Sequence, residues 1–187
     1  MEKNEKRIAE NKPRDLFFGT KGVIILGLMI ALTIVLTRFL SIQIGGAFRI
    51  SLGSVCTVLT GLWFGPLAGA FAGAIADILG LAMAPSGAWI PLVTISAAFW
   101  GLLPGLFRKW INGSVKEKAL KICLIVLATS VICQLLLTTA GLYQVYGVGI
   151  LPGRLIQFAG STPVYMLLIS YLYLGPLSRV VLKEFTE

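Results

Sequence analysis

Histidine is absent from this 187-residue chain, and charged side chains are scarce. The missing histidine removes the commonest general base, proton relay and metal ligand of proteins, so we expect no metal site and no histidine-based catalysis. Asp, Glu, Lys and Arg make up 13% of the residues, whereas soluble domains carry about 25%. Hydrophobic residues make up 57%. A chain with so little charge cannot cover a core with a water-compatible surface, which indicates a membrane protein.

Cysteine is also rare. Cys56, Cys123 and Cys133 lie inside apolar runs and lack CxxC spacing, so we expect buried free thiols and no disulfide framework. The sequence contains no P-loop, no HExxH and no GxSxG motif. We therefore expect no enzyme activity and no cofactor in the chain itself, with any ATP hydrolysis supplied by other subunits.

Long apolar segments predict an all-α membrane protein with six transmembrane helices. They cover residues 22–40, 51–64, 67–83, 89–107, 122–142 and 153–182. The second is shorter than the about 20 residues that a straight helix needs to cross a bilayer. The intervening segments 41–50, 84–88 and 143–152 are expected to be loops on one side, opposite a charged loop at 108–121.

Positive charge is distributed unequally between the two sides. Thirteen of the sixteen Lys and Arg residues lie in the N-terminal tail, the loop 108–121 and the C-terminal end. An excess of positive charge marks the cytoplasmic side, so we expect both termini there. Residues 1–21 are predicted to form a cytoplasmic N-terminal tail, and residues 22–187 a six-helix transmembrane domain. The net charge of +8 forms no single face, so we expect the lipid bilayer and no nucleic acid as partner.

Three cations, Arg38, Arg49 and Arg154, lie beside loops on the other side. An Arg at an outer helix N-terminus opposes both the positive-inside trend and the helix dipole. Arg49 and Arg154 therefore need compensation by Asp77, a lipid phosphate or a bound anion. Asp77 is the sole acidic residue inside a predicted span. It either pairs with an Arg, lies near the outer end of its helix where water reaches it, or accepts N–H groups from a ligand.

Aromatic and amide side chains accumulate on this outer side. They form either an interfacial belt or, with the arginines, a pocket that stacks on a flat molecule and holds its acid groups. The candidate substrate-binding residues are Phe48, Arg49, Asp77, Trp89, Tyr143, Gln144, Tyr146, Arg154 and Gln157.

Small residues recur at helical spacing in two spans. In the third span they form two neighbouring stripes, suited to packing inside the bundle or to docking a partner protein. The stripes are Gly65, Gly69, Gly73 and Asp77, and Ala68, Ala72 and Ala76. The first span carries one small notch, Gly27 and Ala31, in an otherwise bulky helix. The notch suits internal packing or a crossing partner helix, and the sequence leaves that choice open.

Four stretches follow one another along the chain. They are FRISLGSVCTVLTGLWFGPLAGAFAGAIADILG at 48–80, PSGAW at 85–89, LPGRLIQ at 151–157, and the notch in the first helix. In order and spacing they resemble the substrate-binding S components of energy-coupling factor (ECF) vitamin transporters, most closely the folate family. The resemblance covers nearly the whole chain beyond the N-terminal tail.

The resemblance implies a bacterial, multi-pass plasma-membrane subunit that binds folate with high affinity outside and delivers it inward. Its partners would be a transmembrane coupling protein (EcfT) and two ATPase subunits, with ATP bound by those partners. In the family a small-residue motif, often Ala-x-x-x-Ala, docks the coupling protein; here Gly27 replaces its first Ala and Ala31 is kept. Asp77 or Gln157 would meet the pterin, Trp89 or Tyr143 would stack on it, and Arg49 or Arg154 would take the carboxylates.

Two alternatives remain open at this point. The ligand could be another vitamin, such as riboflavin or pantothenate, since several vitamins are flat or anionic. The chain could instead be a stand-alone, proton-coupled secondary transporter that uses Asp77, although no inverted repeat is visible. A membrane-embedded enzyme has little support.

Overall fold

The computed structural model describes residues 20–44, 48–84 and 89–175, without the side chains of residues 20, 21, 42–50 and 146. Helix α1 (Thr20–Ile34) continues as a π-helical turn, Val35–Phe39. A hairpin of β1 (Ile42–Ile44) and β2 (Phe48–Ile50) follows, and then α2 (Gly53–Phe64), α3 (Pro66–Met83) and α4 (Pro91–Phe107). Helix α5 (Val115–Ser130) runs through a π-helical segment, Val131–Thr138, into α6 (Thr139–Tyr146), and α7 is Leu151–Leu174.

The predicted all-α membrane architecture is confirmed. Among the described residues, five helical segments are long and apolar enough to cross a bilayer. They are Gly22–Phe39, Pro66–Met83, Pro91–Trp110, Val115–Val145 and Val148–Leu174. The sixth, α2, is shorter and lies inside the bundle: ten of its twelve residues are buried, and it packs against α1, α3, α4 and α7. The cytoplasmic position of the termini stays a prediction. Residues 1–19 of the predicted tail lie outside the described residues, and residues 20 and 21 form the start of α1.

Several helix ends differ from the sequence prediction. Helix α5 begins at Val115 rather than near residue 122, because Ser114 and Glu117 form a capping box that satisfies the first free backbone N–H groups. The loop predicted at 143–152 is largely helical, since α6 runs to Tyr146 and α7 starts at Leu151. Pro152 occupies the first turn of α7, where its missing N–H costs nothing.

The segment predicted as a loop at 41–50 contains the antiparallel hairpin. Ile42 pairs with Ile50, Gln43 with Arg49, and Ile44 with Phe48. Strand β2 also packs against α7. We call this end of the bundle, where α1 and α3 end and α2 and α4 begin, the hairpin end.

Helices α2, α3 and α4 approach so closely that side chains are excluded between them. A Cβ added at Gly69 would lie 2.6 Å from the carbonyl oxygen of Gly101 and 2.7 Å from the Cα of Gly61. Such backbone contact is how small residues hold membrane helices together. Ala68, Ala72 and Ala76 of α3 are also buried, so both small-residue stripes of this helix serve internal packing rather than partner docking.

Exposed apolar side chains line the outer surface of the bundle. Ile24 and Leu28 of α1, Leu67 of α3 and Leu167 of α7 are each more than 60% exposed, as expected for helices that face lipid. Polar groups are placed inside instead: Gln134 Nε2 of the π-helical segment donates to Ser161 Oγ of α7 at 3.1 Å. Cys56 and Cys133 are buried free thiols, and Cys123 is half-buried.

Candidate functional site

Asp77 of α3 is held from both sides at the hairpin end. Arg38 Nη2, at the end of the first span, lies 3.4 Å from Asp77 Oδ1, with side-chain exposures of 6% and 17%. On the other side Thr94 Oγ1 of α4 donates to Asp77 Oδ2 at 2.8 Å. The indole Nε1 of Trp89 donates to the same Thr94 oxygen at 3.1 Å. One carboxylate therefore joins α1, α3 and α4 and reaches the exposed Trp89.

Gly80 makes this ion pair possible. A Cβ at Gly80 would come within 2.9 Å of Arg38 Nε and 3.4 Å of its Cγ. The Arg38 side chain thus lies directly across the α3 backbone, one turn beyond Asp77, and its Nη2 also approaches the Asp77 carbonyl oxygen at 3.4 Å. An ionised carboxylate inside a span is tolerated when it is paired in this way.

A cavity of about 80 Å³ opens beside Asp77. Its walls come from the first span and from α2, α3 and α4. They are Thr33, Thr37, Gly53, Ser54, Thr57, Gly73, Ala76, Asp77, Ala97 and Trp100. Pockets for whole drug-sized ligands have about 300–1,000 Å³, so this cavity is too small for an entire vitamin.

Trp100 supplies the aromatic wall of the cavity, and its position is fixed. The Tyr165 ring of α7 meets it edge-on, with centroids 5.6 Å apart and planes at 87°, a favoured aromatic geometry. Tyr165 Oη in turn donates to the carbonyl of Ser51, just before α2, at 2.8 Å. The cavity is therefore braced against α7.

Arg154, in the first turn of α7, is a buried cation with spare donors. It is 9% exposed, and its Nη1 donates to Gln157 Oε1 at 2.8 Å. Its Nε and Nη2 are buried and have no hydrogen-bond partner among the residues that the structure describes. Two adjacent N–H groups of one guanidinium suit a carboxylate that binds in bidentate fashion.

The remaining candidates are placed less completely. Strand β2, which carries Phe48 and Arg49, lies against α7, the helix of Arg154. The structure describes the backbone of Phe48 and Arg49 but not their side chains. Tyr143 and Gln144 of α6 are exposed, and the side chain of Tyr146 is not described either. The structure thus brings together Asp77 with Trp89, and Arg154 with Gln157.

The notch of the first span faces away from the bundle. Gly27 and Ala31 are both exposed, and a Cβ at Gly27 would meet nothing within 4 Å. Of the two interpretations open from the sequence, internal packing is therefore wrong for this pair.

The sequence candidates did not include Arg38, Thr94 or Trp100, nor most of the other residues that line the cavity. Arg38 had a usable signal, because it is one of the three cations outside the positive-inside pattern. Thr94 and Trp100 had none, because Thr and Trp are ordinary residues within an apolar helix. Their role follows from the crossing of α3 and α4.

A comparison with protein families identifies the chain's relatives. The model of the ECF-type riboflavin transporter S component matches residues 17–173. The chain belongs to this S-component family. S components of this family are integral membrane proteins of transport systems rather than enzymes, and the apolar helices described above agree with a multi-pass protein of the cell membrane.

Individual relatives of this S component carry a different vitamin in their names. "Folate transporter FolT" of Clostridium novyi (strain NT) is 33% identical over 150 residues, which cover 79% of this chain and 84% of the relative. The crystal structure of FolT bound with folic acid superposes with a TM-score of 0.71 at 27% identity, over 82% of this chain and 93% of that one. The family description thus names riboflavin, whereas these two relatives are named for folate. The question is which of the two vitamins this chain binds.

Proposed function

We propose that this S component binds folate and delivers it across the membrane together with an ATP-driven energizing module. The observation that carries the proposal is the 33% identity to a folate transporter across 79% of the chain, joined by the fold shared with a folic acid complex. Those similarities concern the individual proteins, whereas riboflavin appears in the name of the broader family.

The two ends of folate differ in chemistry, and they suit the cavity beside Asp77 and the buried Arg154, respectively. A pterin is a flat system of two fused rings with N–H donors, and the cavity offers Asp77 as acceptor and Trp100 as aromatic wall. The glutamate tail ends in carboxylates, and Arg154 offers two buried N–H groups that have no partner within the described residues. We infer that the pterin enters the cavity and that Arg154, with Arg49 as second candidate, takes a carboxylate.

The energizing partners follow from the S-component family and are part of the proposal. We infer a transmembrane coupling protein, EcfT, and two ATPase subunits. The exposed notch at Gly27 and Ala31 is the surface at which a helix of the coupling protein would cross α1, because small residues allow backbones to approach.

Binding of folate by the purified protein tests the ligand. Titration calorimetry in detergent, or in lipid nanodiscs, should show folate bound at least about a hundredfold more tightly than riboflavin, thiamin or pantothenate, a difference of about 2.7 kcal/mol. Equal affinity for folate and riboflavin would refute the folate assignment, and a clear preference for riboflavin would transfer the function to the vitamin in the family name.

A further inference from the structure

We propose that Thr94 is a positioning residue that couples Trp89 to Asp77 in the binding site. The inference rests on the proposed function, because ligand affinity is one of its two readouts. It concerns how the site is held in shape rather than which group contacts the ligand.

The Thr94 hydroxyl donates one hydrogen bond and accepts another. A hydroxyl has one proton to donate and two lone pairs to accept with. The proton points to Asp77 Oδ2 at 2.8 Å, and a lone pair accepts the Trp89 indole proton at 3.1 Å. Because the hydroxyl proton is committed to a charged acceptor, the oxygen becomes a better acceptor for the indole.

The same bond fixes the plane of the carboxylate. Arg38 approaches Oδ1 at 3.4 Å while Thr94 holds Oδ2, so the two oxygens of Asp77 are anchored to different helices. A ligand N–H group then meets an acceptor whose orientation is already set, which lowers the entropy cost of binding.

Trp89 precedes α4 and is 59% exposed. The bond to Thr94 holds this indole to the helix bundle. Without the Thr94 hydroxyl, Trp89 loses the acceptor of that bond and Asp77 loses a donor at the same time. The effects of replacing Trp89 and Thr94 should therefore overlap instead of adding.

The first experiment needs no ligand. The four tryptophans are labelled with 5-fluorotryptophan, and the ¹⁹F resonance of Trp89 is assigned by its loss in Trp89→Phe. Thr94→Val should move that resonance, Thr94→Ser should restore it, and Asp77→Asn should also move it because Thr94 loses its charged acceptor.

The second experiment measures folate affinity. Thr94→Val should raise the Kd about tenfold, or about 1.4 kcal/mol, whereas Thr94→Ser should stay within about twofold of the original. In the Thr94→Val background, Trp89→Phe should add less than about twofold. Thr60→Val is the matched control: its buried hydroxyl donates to Cys56 O of its own helix, so the Kd should not change.

The outcomes separate this inference from the proposed function. An unmoved Trp89 resonance and unchanged Kd in Thr94→Val would overturn the coupling while folate binding stands. A full, additive effect of Trp89→Phe in the Thr94→Val background would also overturn it, since Trp89 would then act on the ligand directly. If the original protein binds no folate but the resonance moves in Thr94→Val and Asp77→Asn, the coupling is supported and the ligand proposal fails.

Discussion

Replacing Arg154 with methionine should weaken folate binding without destabilising the ligand-free protein. Arg154 is 9% exposed, and its Nε and Nη2 have no partner within the described part of the chain. Burying donors of a cation without acceptors costs free energy, and methionine fills similar space without them. A ligand carboxylate would supply the acceptors. Arg154 therefore stabilises the complex with folate and destabilises the ligand-free protein.

The expected size follows from the two unpartnered donors. A hydrogen bond to a charged group contributes about 1.5–3 kcal/mol, and part of this is offset by the desolvation of the carboxylate. A net loss of about 2–4 kcal/mol corresponds to a roughly 30- to 700-fold higher Kd. The Kd of Arg154→Lys should lie between those of the original protein and of Arg154→Met, because a lysine keeps the charge but loses the planar guanidinium.

The assay compares two ligands that differ at one end. Folate carries a glutamate joined by an amide bond to its aminobenzoyl group, whereas pteroate has the same pterin and ends at the aminobenzoate carboxylate. Arg154→Met should weaken folate strongly and pteroate by less than about threefold, whereas Asp77→Asn should weaken both. Arg108→Met is the control cation: it lies beside Gly65 at the opposite end of the bundle, so both affinities should be retained.

Two results would refute this reasoning. Folate affinity within twofold of the original in Arg154→Met would exclude Arg154 as the carboxylate partner and leave Arg49 as the candidate. A melting temperature of the ligand-free variant that falls by more than about 5 °C, roughly 1–3 kcal/mol at this chain length, would show that Arg154 is a structural cation.

Three further changes test the docking surface, the helix packing and the ion pair. Gly27→Leu should abolish ATP-dependent folate uptake in vesicles with the coupling protein and ATPases, while folate Kd stays within about twofold, because the notch is filled. Gly101→Val should lower the melting temperature by about 2–12 °C, since overpacking costs about 1–3 kcal/mol. Arg38→Met should destabilise the ligand-free protein by about 2–3 kcal/mol, less than for a fully buried pair, and Arg38→Met with Asp77→Asn should recover part of that loss.

Each of these changes has a matched comparison. Gly160→Leu places the same side chain at another exposed glycine with nothing within 4 Å, on α7, and should leave uptake intact; equal loss in both variants would argue against a specific notch. Gly27→Val should not lower the melting temperature as Gly101→Val does. Strict additivity of the Arg38 and Asp77 changes in thermal unfolding would mean that the two side chains do not interact.

Composition and the lengths of the apolar runs were enough to predict the class of the protein and its six helical segments. In a bilayer each spanning segment must satisfy its own backbone hydrogen bonds, so apolar length alone places the spans, including the short α2. Charge asymmetry likewise singled out Arg38, Arg49 and Arg154, because cations outside the cytoplasmic pattern need another explanation. Order and spacing of the 48–80 and 151–157 stretches indicated the S-component family, which the comparisons confirm.

Which of these groups meet depends on how the helices pack against one another. Asp77 could have paired with any of the three arginines; it pairs with Arg38 because α1 crosses α3 where Gly80 leaves room for the side chain. Periodicity within one helix carries no information about the rotation of its neighbour. For α2, α3 and α4 that rotation is set by the backbone contact of Gly61, Gly69 and Gly101, which places Trp100 in the cavity wall and Thr94 beside Asp77.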